Sequence, residues 1–304
     1  MKNTILYKCI EQGLWYISYG FSLFGGVISK IIPDYIYIKR QFKRNVGKKI
    51  NLKNPQTFNE KVNWMKIYDH NKEYVIMADK YRVREYVSEK IGSEYLIPLL
   101  GVWDRFDDID FERLPDKFVL KCTHDSGSVT ICEKGSFDIE KTRKKFNKAL
   151  KVNFYWYGRE WVYKYIKPRI VAEEYIEDSH YKELRDYKFY CLNGKPHALL
   201  LATNRLSLDK ELCFDYFDMN FKHLHMVNHW HPNSSDELKK PLNFELMQEL
   251  AEKLAEGIPQ VRIDFYEADG RVYFGECTFY DMAGYLIIHP DEWDVEWGKM
   301  IRLK

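Results

Sequence analysis

The chain has 304 residues, 45% of them hydrophobic, which suffices for a large core in two or three subdomains and excludes a disordered protein. A net charge of +2 excludes a nucleic-acid binder whose affinity rests on overall charge. Six cysteines (Cys9, Cys122, Cys132, Cys191, Cys213, Cys277) are scattered without a CxxC pair, as in a cytosolic protein with reduced core thiols rather than a disulfide framework or zinc site.

Residues 1–50 stand apart. No Ala-x-Ala-like cleavage site follows the early apolar run, so no cleavable signal peptide is expected. Gln12–Ser29 carry no charge, but four glycines and three serines weaken a membrane-spanning reading. Leu6, Ile10, Leu14, Ile17, Phe21, Phe24 and Ile28 recur at helical spacing, and the cations Lys39, Arg40, Lys43, Arg44, Lys48 and Lys49 follow. Two arrangements fit: a helical extension lying on an anionic membrane surface, or one packed on the body with its cations solvated.

Asn54-Pro55 marks a break, and Thr57-Phe58-Asn59-Glu60 reads as a capping box opening a helix through Tyr68. A second helix is expected over Ala78–Ile91. Lys117–Lys121 reads as a buried strand paired with Val129–Glu133 through the loop Thr123–Ser128. A basic helix follows over Thr142–Lys151, then strands over Arg169–Ile176, Tyr187–Leu192 and Pro196–Ala202, with Asn193-Gly194 as a turn. Phe244–Glu256 has the pattern of a helix ending near Gly257.

Val261–Phe279 reads as a hairpin. A three-residue loop, Ala268-Asp269-Gly270, pairs Asp264 with Phe274 and Arg262 with Glu276, so Arg262, Asp264, Glu276 and Thr278 share one face. Carboxylates with a hydroxyl suit a hard cation such as Mg²⁺; a salt-bridge network around Arg262 on a solvated face fits equally. Lys121, ending a strand before a small Gly-containing loop, has the makings of a phosphate cradle. His124-Asp125-Ser126 holds the residue types of a hydrolase triad, but three consecutive residues cannot relay a proton in the required geometry. His223, His225, His229 and His231 have zinc-like spacing, or line a surface loop. Asp108-Ile109-Asp110 spells the pattern that binds a nucleotide-sugar metal.

Taken in order, NPQTFNEKVNWMKIYD, ADKYRVREYV, LIPLLGVWD, FVLKCTHDSG, DYKFYCLNGKP and VRIDFY…YFGECTF resemble the signatures of the teichuronopeptide-biosynthesis (TupA-like) type of ATP-grasp protein, from about Asn51 to the C-terminus. The resemblance implies an α+β ATP-grasp fold, in which antiparallel-sheet subdomains grip ATP, following the helical N-terminal extension. It divides residues 51–304 into an N-terminal part (51–110), an ATP-lid subdomain (111–180) and a C-terminal metal and phosphate subdomain (181–304). It also implies that Lys80 and Lys121 contact ATP phosphates, with Thr123, Ser126, Gly127 and Ser128 folding over them. Glu174, Tyr175 and Ile176 would lie at the adenine edge, with Asp186 and Lys188 near the ribose and phosphates. Asp264, Glu276 and Thr278 would hold Mg²⁺, and Arg262 would stabilise the transferring phosphoryl group. Thr278 departs from the wider superfamily, where Asn is common at that place.

The implied activity is a carboxylate–amine ligation through an acyl phosphate, in cell-surface polysaccharide biosynthesis. The expected partners are ATP, an amino acid or amine, a uronic-acid-containing or lipid-linked glycan and an anionic membrane surface, with no nucleic acid. The expected location is cytoplasmic, at the inner face of the membrane. A nucleotide-sugar glycosyltransferase is the alternative.

Overall fold

The structure, a computed structural model, describes residues 30–179, 184–205, 207 and 209–303. The apolar stripe from Leu6 to Ile28, and Cys9, lie outside the described residues. No described helix is long and apolar enough to cross a membrane.

Helix α1 (Asp34–Val46) ends in a left-handed Gly47. The described part of the expected extension packs on the body. Ile38 and Phe42 are buried against Ile50, Leu52 and Tyr285, while Lys39, Arg40, Lys43 and Arg44 face outward. Asp34 fixes the docking. It pairs with the buried Arg159 at 3.1 Å and accepts from the Tyr155 hydroxyl at 2.5 Å. The Arg159 guanidinium in turn lies over the rings of Tyr37 and Trp156.

The capping box at Thr57 and Glu60 opens α2 (Phe58–Tyr68) as its spacing predicts. A separate helix that was not expected, α3 (Lys72–Ala78), comes next, and the helix expected over Ala78–Ile91 begins later, as α4 (Val83–Lys90). The physical reason is Asp79. It is buried, and its carboxylate accepts from the backbone N–H groups of Tyr81 and Arg82, offering the chain a turn in place of a continuous helix. Lys80 therefore projects from a junction between helices.

Two antiparallel sheets follow. The first has the order β1 (Leu99–Trp103), β4 (Ile170–Glu174), β2 (Lys117–Cys122) and β3 (Thr130–Glu133). Phe118, Leu120, Cys122, Ile170 and Ala172 point to one face and pack with Phe146 of α5 (Ile139–Ala149) and with Phe106. Alternation sends Lys121 and Glu173 to the other face. A short helix, α6 (Tyr155–Gly158), precedes β4.

The second sheet has the order β10 (Arg271–Thr278), β9 (Gln260–Ala268), β5 (Arg185–Leu192), β6 (Lys195–Thr203) and β7 (Cys213–Phe217). Phe189, Cys191, Ile263 and Phe265 join the core with α7 (Phe244–Ala255), where the sequence expects that helix. At the far end of the opposite face, Tyr190 packs on Phe58 and on Trp297 of α8 (Glu292–Met300). A small ladder of β8 (Val227–Asn228) and β11 (Ile288–His289) completes the described strands.

The β9–β10 register differs from the expected one at two points, whose one-residue shifts add to two and so leave the same residues on one face. The loop has two residues, Asp269 and Gly270, both left-handed, so Ala268 pairs with Arg271 and Phe265 with Phe274. Continued unbroken, that register would send Glu276 to the face opposite Asp264. A bulge at Gly275 shifts it by one, placing Glu276 opposite Asp264 and Thr278 opposite Arg262. Gly275 suits the bulge because a Cβ there would come within 3.0 Å of the Asp264 carbonyl oxygen.

Candidate active site

Across three adjacent strands, Lys188 pairs with Asp264 and Tyr190 with Arg262, beside Glu276 and Thr278, so these side chains form one patch. The Lys188 ammonium is 2.5 Å from both Asp186 Oδ2 and Asp264 Oδ2. Arg262 donates through Nε and Nη2 to both oxygens of Asp264, at 2.7 and 2.8 Å. Its Nη2 also reaches Thr278 Oγ1 at 3.2 Å and Glu276 Oε1 at 3.4 Å. Its Nη1 donates to Asp281, which accepts as well from the Tyr190 hydroxyl at 2.6 Å.

Burial opposes the charge on Arg262, but Asp264 and Asp281 beside it outweigh that and hold its pKa well above the ordinary value. Burial likewise opposes ionisation of Glu276, while the charges of Lys80, Lys188, Arg262 and Arg205 hold its carboxyl down to about 2. Burial raises the pKa of the Asp264 carboxyl, against Arg262 and Lys188, so the patch is a buried network of paired acidic and basic side chains. A solvated scatter of charges does not describe it.

The face of the first sheet that carries Lys121 and Glu173 closes on this patch. Lys121 Nζ lies 2.6 Å from Glu173 Oε2, and Arg84 Nη1 lies 3.4 Å from Glu173 Oε1. Lys80 donates to the Asp125 carbonyl oxygen at 2.6 Å and lies 3.5 Å from Glu276 Oε2, bridging the Thr123–Ser128 loop to the second sheet. The cleft lined by Lys80, Arg84, Lys121, Glu173, Phe274 and Gly275 holds about 10 Å³, close to the volume of one water. A nucleotide therefore requires the two sheets to part or these side chains to exchange partners.

Within the loop, the hydroxyls of Thr123 and Ser128 serve the fold. Thr123 Oγ1 donates to the Lys167 carbonyl and accepts from the Arg169 N–H; Ser128 Oγ accepts from the Cys122 N–H and donates to Asp125. Ser126 and Gly127 form the exposed tip. Glu174 ends β4, its N–H bonded to the Pro98 carbonyl. Tyr175 lies under the Lys117 ammonium at 3.8 Å, and Ile176 packs beside Ile97 and Tyr273.

The oxygen-only donor set of Asp264, Glu276 and Thr278 fits Mg²⁺, and one observation adds weight: among the described residues, Asp186 Oδ1 is buried without a hydrogen-bond partner. As the side chains stand, no three His, Cys, Asp or Glu of the described residues converge on a metal position, because Lys188 and Arg262 lie between the carboxylates. The other metal-like patterns have separate occupations. His223 bonds Asp215, His229 approaches His289, and His231 packs on Phe214. Asp110 caps a turn through the Glu112 N–H and pairs with Arg113. His124 is buried near the carbonyls of Ala149 and Val152, away from any triad geometry. Cys122, Cys132, Cys191, Cys213 and Cys277 are free and buried.

Sequence reasoning missed Asp281, Glu173, Arg205 and a group beneath the patch centred on Lys66. Arg205 pairs with Asp186 at 2.9 Å. Lys66 is buried on α2, and its ammonium donates to Asn63 Oδ1 at 3.0 Å, to the Gly158 carbonyl at 2.9 Å and to the Ala283 carbonyl. Met282, Ala283 and Gly284 are all left-handed, at φ 46°, 53° and 70°. For the two that are not glycine this costs roughly 1–2 kcal/mol each. Burial pushes the Lys66 ammonium down to about 7 and the nearby Glu160 carboxyl up to about 7. No spacing in the sequence announces this cluster, since its parts are more than ninety residues apart.

A family profile described as TupA-like ATPgrasp matches residues 60–302. No curated protein matches the chain. Among solved structures, the chain is similar to a D-alanine–D-alanine ligase of Helicobacter pylori (14% identity, TM-score 0.42, 81% of this chain and 69% of that one). It is also similar to a D-alanine–D-alanine ligase of Bacillus anthracis complexed with ATP (13%, 0.39, 67% and 54%). A third is a phosphoribosylamine–glycine ligase of Thermotoga maritima (14%, 0.37, 68% and 48%). The chain thus spans about half the length of two of these three structures.

Proposed function

The chain belongs to the TupA-like ATP-grasp family, and from that premise we propose that it is an ATP- and Mg²⁺-dependent carboxylate–amine ligase acting on a cell-surface polysaccharide. The observation that carries this reading is the continuous patch of Asp186, Lys188, Asp264, Arg262, Glu276 and Thr278 facing Lys80 and Lys121 across a closed cleft. Cations arranged around carboxylates in a site shielded from water are what phosphoryl transfer requires, and no protein nucleophile is needed.

In this reading Lys121 leaves Glu173 and Lys80 leaves Asp125 to contact phosphate oxygens, while Ser126 and Gly127 at the loop tip cover them. Glu174, Tyr175 and Ile176, at the end of β4, border the base. Asp186 and Lys188 sit near the ribose and phosphates. Asp264, Glu276 and Thr278 would hold Mg²⁺, which supplies charge neutralisation at the phosphate oxygens. Arg262, already oriented by Asp264 and Asp281, turns Nη2 toward the phosphoryl group as charge builds on it. The acceptor carboxylate takes the phosphoryl group, ADP leaves, and an amine displaces phosphate to form the amide. Closure of the two sheets keeps water from the acyl phosphate.

A uronic acid as carboxylate and an amino acid as amine fit that chemistry. The outward cations of α1 would hold the enzyme against an anionic membrane surface, where a lipid-linked glycan is presented. The test is ADP release from purified protein given Mg·ATP with paired amino acids and uronic-acid glycans. Release of UDP from a nucleotide sugar, without ATP dependence, would establish the glycosyltransferase alternative in its place.

A further inference from the structure

Resting on the proposed ATP reading, we infer that Lys66 is a positioning residue for phosphoryl transfer, acting through the left-handed turn Met282–Gly284 to set Asp281 and thereby Arg262. The turn follows β10 after Phe279, Tyr280 and Asp281, and Asp281, next to it, takes the Nη1 of Arg262. The guanidinium has two firm anchors: both oxygens of Asp264 on one edge and Asp281 on the other. Asp264 sits on the regular strand β9, so the sheet fixes its place. Asp281 has no ladder to hold it. The Tyr190 hydroxyl donates to it, and its backbone leads into a turn whose conformation non-glycine residues avoid.

What holds the turn is a set of contacts from two other segments. The Lys66 ammonium binds the Ala283 carbonyl, and the Asn63 amide donates to the Gly284 carbonyl at 2.6 Å. From the third side, Gly158 lies so close that an added Cβ would come within 2.9 Å of the Ala283 Cβ. All three protons of the ammonium find acceptors on three separate stretches of chain: α2, the end of α6 and the turn itself. Lys66 also lies 4.7 Å from the ring of Tyr285, the residue that closes the turn. A hydrophobic residue would fill the same volume but leave the Ala283 carbonyl without its donor, the turn then resting on Asn63 and on the packing of Gly158. Charge at this buried place is costly even with Glu160 nearby, and packing alone gives no reason for it. A turn kept in one strained state so that Arg262 meets the phosphoryl group does.

The experiment compares the unaltered chain with Lys66→Met and with Lys66→Met combined with Ala283→Gly, using Mg·ATP with the paired amino acids and uronic-acid glycans of the assay above as the probe. ADP release, the KM for ATP and hydrogen exchange over residues 279–285 are followed. In Lys66→Met, kcat is expected to fall about a hundred-fold, the loss typical of a misplaced reacting group, while KM stays within about twofold. Ala283→Gly adopts the left-handed state without strain and restores part of the lost kcat. Residues 279–285 of the unaltered chain exchange as slowly as β9. An unchanged kcat, a KM rising in step with the loss, no recovery from Ala283→Gly, or rapid exchange of 279–285 in the unaltered chain would each overturn the inference. The exchange measurement decides even where Lys66→Met does not fold. Absence of ADP release from the unaltered chain is a different result: it overturns the proposed function and this inference with it.

Discussion

Glu276 stands opposite Asp264 because Gly275 is displaced from the β9–β10 ladder. Of the side chains that would hold a metal, Glu276 and Thr278 depend on that one-residue slip to share a face with Asp264. In Gly275→Ala, the new methyl must push against the Asp264 carbonyl at 3.0 Å and the Tyr266 ring at 3.2 Å. The variant should lose about 1 kcal/mol of stability, as a typical strained substitution does, and a larger share of its ATP turnover. Urea unfolding beside an ADP-release assay checks this; wild-type turnover would show that the slip does not serve the site.

Asp264→Asn and Glu276→Gln each remove a negative charge from the patch while keeping its shape. Both should fold, with far-ultraviolet dichroism unchanged, and both should lose Mg²⁺-dependent turnover by roughly a hundred-fold or more. Near-normal turnover in both would remove the metal assignment.

Lys121→Ala should weaken ATP binding about tenfold by calorimetry, since a phosphate contact is lost and Glu173 keeps only Arg84. Lys121→Arg should recover only part, because a planar fork replaces a compact point charge. Unchanged affinity in Lys121→Ala would dismiss the phosphate cradle.

The depressed pKa of Glu276 has a signature in acid. Its folded-state value, about 2, lies below the 4.5 of an ordinary glutamate, so the unfolded chain binds the proton more readily. The stability that follows is present above about pH 4.5 and is lost as the pH falls through about 2. The stability gap between the unaltered chain and Glu276→Gln should therefore shrink over that window, as denaturant midpoints at successive pH values would show. A gap that stays constant across the window would contradict the ionised site.

Helix α1 is bolted to the body through Ile38, Phe42 and the Asp34–Arg159 pair, so deleting it would strip cover from Tyr285 as well as remove charge. Charge reversal is the cleaner test. Lys39, Arg40, Lys43 and Arg44, each changed to Glu, should abolish salt-sensitive sedimentation with anionic liposomes, at about 1 kcal/mol for each cation near the surface. Melting should be little altered. Equal partitioning before and after would confine these cations to solubility.

Much of the site was legible because strand alternation is a local rule. Arg262, Asp264, Glu276 and Thr278 fall on one face whatever the neighbours, provided the register is right. The register itself was not legible, since the shorter turn and the bulge at Gly275 together shift it by two and leave the same residues facing together. The late start of α4 was hidden for another reason: nothing local shows that Asp79, which meets Arg169 at 3.4 Å ninety positions on, is buried and turns the chain. Lys66, Glu173 and Asp281 were out of reach altogether. Their partners are brought together by tertiary packing, and nothing in local spacing encodes it.

The interleaving of Lys188 and Arg262 among the carboxylates bears on the order in which ligands arrive. Asp186, Asp264, Glu276 and Asp281 face Lys80, Lys188, Arg205 and Arg262, so the patch is electrically balanced as it stands. A lone dication would have to displace internal counter-ions into a medium that solvates them poorly, and a lone polyphosphate would leave the carboxylates facing its own charge. Arriving together, each ligand supplies the partner that the other evicts. On the proposed reading, metal and nucleotide would form one linked equilibrium, each raising the affinity of the other by the same factor.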